Sequence, residues 1–339
     1  MLPNGRARRR TEPTTSRSLR PVSQVLLAAA SRIAAPAHEL MRIPTADPVN
    51  VHEAMSASGP ARRLEIDALL TLPAASAPVP AVVVVPGSAG VSDNHVAHAA
   101  ALTAQGYAVC LVDPFGARAV ESTVANQAQY SFAASAYDVV ATLAVLSSDP
   151  RIAADRIAAQ GHSRGGSAVL MAAMRPFVTA IAGDVAFAGV YAAYPWCGQQ
   201  FLRPDVGATV VRAIIGDQDE WCSVMAVQAQ VHAIELAGGA ASLRIVPGAH
   251  HSFDRDEPVH ELPEARVSPH APIEWLADDG AMIDPRTGTA DPARTDLDQF
   301  RAAVSGGFGQ RGARLGSAGD QAELFRADLH AFHASVLRA

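Results

Sequence analysis

The chain contains Gly161-His162-Ser163-Arg164-Gly165-Gly166, in which small residues frame one serine. Residues 155–160 before this stretch fit a short buried strand, and the apolar residues 167–174 after it fit a helix that Pro176 stops. A sharp strand-to-helix turn holds a serine hydroxyl above a sheet, and small neighbours let the strand and helix pass closely. The stretch therefore predicts a nucleophile elbow with Ser163 as the nucleophile. The alternative is a glycine-rich turn with an incidental serine.

The composition narrows the possible chemistry. The 339 residues are 49% hydrophobic and 18% charged, as in a globular protein with a large core. The net charge is −6, and only residues 6–10 are rich in arginine, so we expect no nucleic-acid partner and no membrane partner. The sequence has no lysine. Schiff bases, phosphate-binding lysines and serine–lysine dyads are therefore excluded, and an activated serine needs a histidine as its base.

The cysteines and the N-terminal residues give weaker signals. Cys110, Cys197 and Cys222 lie far apart, which is typical of core thiols and leaves room for one disulfide at most. Residues 1–45 are expected to be an extension that is disordered or loosely docked. The apolar run before Arg32 is short for an export signal, so we expect a cytoplasmic protein, with export as the alternative if the first 40 residues act as a signal.

From about residue 64, short strand-like runs alternate with helical ones, a pattern typical of a parallel sheet covered on both faces. The predicted fold class is α/β, with a mostly parallel, doubly wound sheet and helices on both faces. We expect residues 46–339 to form a single domain. Within it, residues 254–320 have no sustained period and are interpreted as a long surface excursion, which either covers the site or decorates the surface. Residues 321–337 predict a C-terminal helix docked on the sheet.

A catalytic serine of this kind is followed in the chain by an acid and then a histidine, in turns at the carboxyl ends of later strands. The predicted strand 209–215 runs into an acidic turn that contains Asp217 and Asp219. We predict Asp219 as the acid, because three residues past Gly216 its side chain can reach back across the sheet. The alternatives are Asp217, or that both carboxylates serve as turn formers or helix caps.

The next predicted strand, 242–246, ends shortly before His250 and His251. We predict His251 as the base. Tandem histidines also suggest a metal site, but adjacent side chains rarely converge on one ion, so we expect no metal and no organic cofactor.

The reaction also needs backbone N–H donors for a tetrahedral oxyanion. Arg164 directly follows the nucleophile, and Ser88 lies in the small-residue loop 86–90 after the first buried strand. Their amides are the predicted oxyanion hole. The alternative for loop 86–90 is an ordinary glycine-rich turn.

With these pieces in order, the chain from about residue 64 to its end resembles the dienelactone hydrolase branch of the α/β-hydrolase superfamily. The resemblance is carried by residues 113–118, 149–166, 194–197, 216–221 and 247–254. It implies the α/β-hydrolase fold and the triad Ser163, Asp219 and His251. Two positions depart from the family pattern. Dienelactone hydrolases carry cysteine where this chain has Ser163, which favours a general ester hydrolase, and their oxyanion strand commonly ends in His-Gly rather than Pro86-Gly87.

The expected reaction is hydrolysis of a small-molecule carboxylic ester through an acyl-enzyme on Ser163. The alternatives are a serine peptidase or amidase, a lactone hydrolase with the same triad, and a non-catalytic binding protein of the same fold. Candidate pocket residues follow the ends of several strands: Phe115, Arg118, Tyr194, Trp196 and Trp221. For Arg118, binding of a substrate carboxylate and a structural ion pair are both open.

Overall fold

The strands and helices alternate along most of the chain in the computed structural model, which describes residues 23–56, 59 and 61–338. The strands are β1 (Ala37–Asp47), β2 (Arg62–Leu72), β3 (Val79–Val85), β4 (Ala108–Asp113), β5 (Ile152–His162), β6 (Gly189–Ala193), β7 (Gln199–Phe201), β8 (Val210–Gly216), β9 (Ala241–Val246), β10 (His260–Val267), β11 (Glu274–Leu276), β12 (Met282–Ile283), β13 (Ala290–Asp291) and β14 (Gln310–Leu315). The α-helices are α1 (Gln24–Ala30), α2 (Val51–Met55), α3 (Asp93–Ala104), α4 (Phe132–Ser147), α5 (Arg164–Met171), α6 (Arg175–Ala182), α7 (Val224–Leu236), α8 (Asp296–Ser305) and α9 (Gln321–Leu337).

Eight strands form the main sheet in the order β1-β2-β4-β3-β5-β6-β8-β9. The strands from β4 to β9 in this order pair in parallel, whereas β1 and β2 form an antiparallel edge. Alternate side chains of β3 enter different core clusters, Val83 in the larger and Val82 and Val84 in the smaller. A strand buried on both faces has this pattern because helices cover both sides of the sheet. The predicted α/β class with a mostly parallel, doubly wound sheet is confirmed.

Residues 23–45 are firmly docked, which corrects the expectation of a disordered or loosely docked extension there. β1 pairs with β2 along its whole length. Just before α1, the backbone N–H of Ser23 donates to Asp67 (3.0 Å) and its hydroxyl donates to Asp113 (2.6 Å). Cross-strand backbone pairing and these buried hydrogen bonds hold the segment, although its side chains give little apolar pattern. The remainder of that predicted extension, residues 1–22, lies outside the described residues.

Residues 254–320 contain more regular structure than their sequence pattern indicates. β10 and β14 pair antiparallel, and β11 to β13 form a small sheet with β7. The excursion is tied to the acidic turn after β8: the N–H of Arg314 donates to Glu220 (2.7 Å), and the indole of Trp221 donates to the carbonyl of Arg314 (2.9 Å). Several of these strands have only two or three residues, which is too short for a period to show. α9 covers the same residues as the predicted C-terminal helix and packs against β5 and β6.

Pro176 does not stop the elbow helix, contrary to the prediction. α5 already ends at Met171, and Pro176 lies in the first turn of α6. Proline is tolerated there because the first N–H groups of a helix have no intrahelical acceptor. Within the described part of the chain, no single helix has the length and apolar composition of a membrane span, and the bent pair α5 and α6 meets these criteria only when taken together.

Candidate active site

Ser163 stands at the sharp turn between β5 and α5. Its φ of 56° and ψ of −115° are an unusual backbone conformation for a residue with a side chain. The glycines around it permit the close approach of strand, helix and loop. A Cβ on Gly161 would overlap the carbonyl oxygen of Gly165, and a Cβ on Gly165 would overlap the carbonyl oxygen of Val85. The structure thus has the strained elbow geometry that the sequence predicts for this stretch.

The structure brings Ser163, His251 and Asp219 together. Nε2 of His251 lies 2.9 Å from Oγ of Ser163, and Nδ1 of His251 lies 2.8 Å from Oδ2 of Asp219. A carboxylate only accepts, so we assign the proton of the neutral ring to Nδ1, which leaves Nε2 free to accept from the serine hydroxyl. His251 is 2% exposed, so water is largely kept from this hydrogen-bonded chain. The arrangement can take a proton from the serine and hold the charged imidazolium that results.

The carboxylate of Asp219 is fixed from its other side. Its Oδ1 accepts the backbone N–H groups of Trp221 and Cys222, both at 2.8 Å. These two hydrogen bonds lock the side-chain rotamer, so Oδ2 stays directed at the ring of His251. The same residue therefore caps its turn, one of the sequence-based alternatives, and contacts the histidine.

The alternative acid and the alternative histidine lie elsewhere. Oδ1 of Asp217 accepts the N–H of Gly248 at 2.7 Å, so this side chain braces the loop that carries the histidines. Nδ1 of His250 is buried without a hydrogen-bond partner in the described structure, and its ring is not part of the chain from Ser163 to Asp219. Of the two candidate acids and two candidate histidines, Asp219 and His251 are the ones in the hydrogen-bonded chain to Ser163.

The two predicted oxyanion donors line the same cavity as Ser163. Among the described residues, neither the N–H of Ser88 nor that of Arg164 has a hydrogen-bond acceptor. The loop after β3 lies against the elbow, since a Cβ on Gly87 would stand 3.2 Å from Cβ of Ser163. The carbonyl of Ser88 accepts the N–H of Thr123 at 2.7 Å, which anchors the loop. Two unpaired amides next to the serine are what a developing oxyanion needs.

The ring of His251 is held between two aromatic side chains. Trp221 stacks on it at a centroid distance of 5.2 Å, and Tyr194 contacts it edge-on at 4.7 Å. The hydroxyl of Tyr194 donates to Oδ1 of Asp254 at 2.6 Å, and Nε2 of His98 lies 2.9 Å from Oδ2 of Asp254. A buried polar cluster thus supports the histidine from behind.

Burial shapes the charges of this polar cluster. Burial by itself raises the pKa of Asp254, but hydrogen bonds from His162 and His98 outweigh it and hold that pKa well below its usual value. Burial lowers the pKa of His162, and it lowers the pKa of His95 further with help from the nearby His162. Asp254 is therefore ionised at neutral pH, and these two histidines are uncharged.

Two of the five predicted pocket residues line the cavity of about 420 Å³ that contains Ser163, namely Trp196 and Trp221. Tyr194 lines a smaller neighbouring cavity of about 140 Å³, which Trp221 and Ser163 also border. The prediction is wrong for Phe115, which is buried against Tyr130 and borders neither cavity.

The pocket assignment of Arg118 is also wrong, and the structural ion pair is what the structure shows. Its guanidinium is 2% exposed and donates to Asp47 (2.6 Å) and Asp138 (2.8 Å). Neither carboxylate, Asp47 of β1 or Asp138 of α4, lines the two cavities at Ser163. A substrate has no access to this arginine.

Sequence reasoning missed most of the cavity wall. Val267, Phe300 and Arg311 come from residues 254–320, so the excursion covers the site rather than only decorating the surface. Their segment had no periodic pattern that could have marked them. The side chain of Arg164 was also missed: its buried guanidinium lies over the rings of Tyr130 (4.8 Å) and Phe132 (4.0 Å) and supports the wall beside the nucleophile.

Two groups of described side chains have potential metal-ligand atoms within 4.8 Å of one another. One group consists of Asp219, Cys222 and His251, and the other of His98, His162 and Asp254. The first shares two residues with the hydrogen-bonded chain to Ser163. In the second, the carboxylate already binds donors from several side chains.

Fold and site together define an α/β-hydrolase. The sequence profile of the dienelactone hydrolase family matches residues 66–275, and the chain therefore belongs to that family, which confirms the resemblance seen in the sequence. As a member of the dienelactone hydrolase family, the chain is a hydrolase. Comparison with functionally curated proteins gave no match.

Several solved structures have a similar fold. A putative dienelactone hydrolase from Klebsiella pneumoniae is 18% identical, with 64% of this chain and 89% of that chain covered at a TM-score of 0.46. The dienelactone hydrolase-like promiscuous phosphotriesterase P91 from metagenomic libraries is 16% identical, with 65% and 85% covered at a TM-score of 0.45. The thermophilic esterase Est2 from Thermogutta terrifontis is 14% identical, with 64% and 84% covered at a TM-score of 0.46.

Proposed function

We propose that this chain hydrolyses carboxylic esters through an acyl-enzyme formed on Ser163, with His251 as the base and Asp219 as the acid of the triad. The observation that carries the proposal is the unbroken hydrogen-bonded chain from Oγ of Ser163 through both nitrogens of His251 to Asp219. A serine open to a cavity and a hydrogen-bonded histidine and carboxylate behind it are the parts that acyl transfer needs.

The proposed reaction begins when Oγ of Ser163 attacks the ester carbonyl and Nε2 of His251 takes its proton. Asp219 stabilises the imidazolium, and the N–H groups of Ser88 and Arg164 hold the oxyanion. Collapse of the tetrahedral intermediate expels the alcohol, which receives the proton from His251. A water molecule then attacks the acyl-enzyme in the same way, and the acid leaves.

The same triad also serves lactones and amides, so these substrates remain alternatives for the same site. A lactone is an internal ester and needs no additional group. An amide has a poorer leaving group and depends more strongly on protonation of its nitrogen. The cavity of about 420 Å³ has the volume of a small-molecule site, which is why the proposal names a small ester.

The test compares ethyl benzoate with N-ethylbenzamide, which have nearly the same shape, and with the lactone dihydrocoumarin. We expect release of benzoate from the ester at least a hundredfold faster than from the amide, measured by chromatography. A fluorophosphonate probe should label the wild-type chain and not Ser163→Ala. Preference for the amide would establish the amidase alternative, and equal labelling of both chains would contradict the role of Ser163.

A further inference from the structure

Ser163 lies between two cavities of different size. Of the residues that the structure describes, the large cavity of about 420 Å³ and the small cavity of about 140 Å³ share only Ser88, Ser163 and Trp221 in their walls. An ester bound with its carbonyl carbon at the serine must extend in two directions, one for the acyl group and one for the alcohol. The two cavities provide those two directions.

One part of the wall of the large cavity is aromatic and apolar, whereas Arg266, Gln310 and Arg311 line another part. The rings of Trp196, Phe132 and Phe300 pack against one another in a triangle, with centroid distances of 4.3 Å (Trp196 to Phe132), 6.2 Å (Trp196 to Phe300) and 6.0 Å (Phe132 to Phe300). Val267 and Val304 add aliphatic surface. Such a wall favours a flat apolar group, because burial of apolar surface and ring contacts both contribute to binding.

The small cavity is the one that His251 borders, together with Tyr194 and Ser252, and His251 does not line the large cavity. In acyl transfer the departing oxygen must lie within reach of Nε2 of this histidine, because that atom returns the proton. The chain that continues from the departing oxygen therefore enters the small cavity. The acyl group is left with the large one.

We propose that the substrates of this chain are esters of a bulky, aromatic or apolar acid with a short alcohol, the acid bound in the large cavity and the alcohol in the small one. The inference rests on the proposed esterase function and adds which part of the ester binds in which cavity. A closed cavity of about 150 Å³ holds one benzene molecule, so the small cavity of about 140 Å³ best fits an alcohol of about six non-hydrogen atoms or fewer.

A pair of reversed esters tests the direction. Ethyl 2-naphthylacetate and 2-naphthylmethyl propanoate are isomers that place the naphthyl group on the acid and on the alcohol respectively, and both release an unactivated alcohol. We expect kcat/KM of the full-length chain to be at least tenfold higher for ethyl 2-naphthylacetate. Equal values or the opposite preference would overturn the inference while leaving the esterase proposal intact.

Two truncations, one in each cavity, provide matched controls. Phe300 lines only the large cavity and Leu262 only the small one, and both are half-buried residues outside the triad. Phe300→Ala should raise KM about tenfold for ethyl 2-naphthylacetate, several-fold more than it raises KM for ethyl propanoate. Leu262→Ala should raise kcat/KM for 2-naphthylmethyl propanoate relative to kcat/KM for ethyl 2-naphthylacetate.

The opposite pattern, in which Leu262→Ala changes acid selectivity and Phe300→Ala changes alcohol selectivity, would reverse the assignment of the cavities. A chain that hydrolyses ethyl benzoate and neither naphthyl isomer would overturn the inference alone. A chain that hydrolyses no ester and fails to react with the fluorophosphonate probe would instead overturn the proposed function.

Discussion

Two carboxylates in the acidic turn after β8 have different partners, and this difference predicts different effects of mutation. Asp219 contacts Nδ1 of His251, whereas Asp217 accepts the N–H of Gly248. Asp219→Asn keeps the shape but favours the wrong tautomer of the histidine, so we expect kcat to fall by about 10⁴. Asp217→Asn should lower kcat only a few-fold. Steady-state hydrolysis of ethyl benzoate measures both variants.

The control for this comparison is a check that both variants are folded. Both variants should retain the far-ultraviolet circular dichroism of the wild-type chain, since each substitution is isosteric and the amide oxygen can still accept from the backbone. Loss of turnover in Asp217→Asn with near-normal turnover in Asp219→Asn would move the acid to position 217 and refute the assignment.

We expect removal of the Tyr194 hydroxyl to lower the stability of the folded chain. It donates to Oδ1 of Asp254 at 2.6 Å, and both side chains are buried. Tyr194→Phe removes this donor and leaves a buried carboxylate oxygen with one hydrogen bond fewer, so the free energy of unfolding should fall by about 1–3 kcal/mol. Urea denaturation measures it. An unchanged free energy would mean that Asp254 finds another donor.

At the scale of elements, Arg118 links β1 to α4 through Asp47 and Asp138. Arg118→Ala leaves the buried carboxylate of Asp138 unpaired, so we expect a loss of about 3–5 kcal/mol in the free energy of unfolding. Surviving folded protein should keep the same ratio of kcat/KM for neutral and acidic esters as the wild type. A selective loss of acidic esters would instead return Arg118 to substrate binding.

The elements that the sequence predicts well are those with a strong period. The Val run of β3, which is the first buried strand before loop 86–90, lies in the core, so hydrophobicity alone marks it. The first residues of β1 are largely exposed, and its place depends on backbone pairing with β2. No single-sequence pattern records such pairing, so residues 23–45 were predicted as an extension.

The same distinction applies to the site. The elbow serine and the residues after β8 and β9 could be located from sequence because each follows a recognisable strand and glycines mark the close approach at Gly161 and Gly165. The far wall of the large cavity could not be located from the sequence. Phe300 and Val267 reach the site only through the folding of residues 254–320, whose contacts are distant in sequence.

At the scale of the whole molecule, the two ends of the described chain meet the active-site scaffold through buried polar groups. Ser23 binds Asp113 at the end of β4, and His333 of α9 lies 3.1 Å from Oε1 of Gln160 in β5. Gln160 in turn lies next to His162, the neighbour of the nucleophile. Docking of the C-terminal helix and support of the elbow therefore belong to one network.

This network makes stability depend on pH. Burial lowers the pKa of His333 to about 3, with help from His330 and His98, and burial also lowers the pKa values of His95 and His162. Below pH 6.5 the unfolded chain binds protons that the folded chain excludes. The stabilisation from these uncharged, buried histidines is complete above pH 6.5. It is lost as the pH falls towards the pKa values of the folded state, at about 1.4 kcal/mol per pH unit for each histidine.

His333→Gln tests this dependence, because glutamine can still donate to Gln160 but does not titrate. Between pH 7.0 and 5.5 the variant should lose about 1 kcal/mol less free energy of unfolding than the wild type, as measured by urea denaturation at both values. The exposed His270 gives the matched control, and His270→Gln should lose as much as the wild type. A wild-type chain equally stable at both values would show that these histidines accept protons in the folded state, in conflict with their burial.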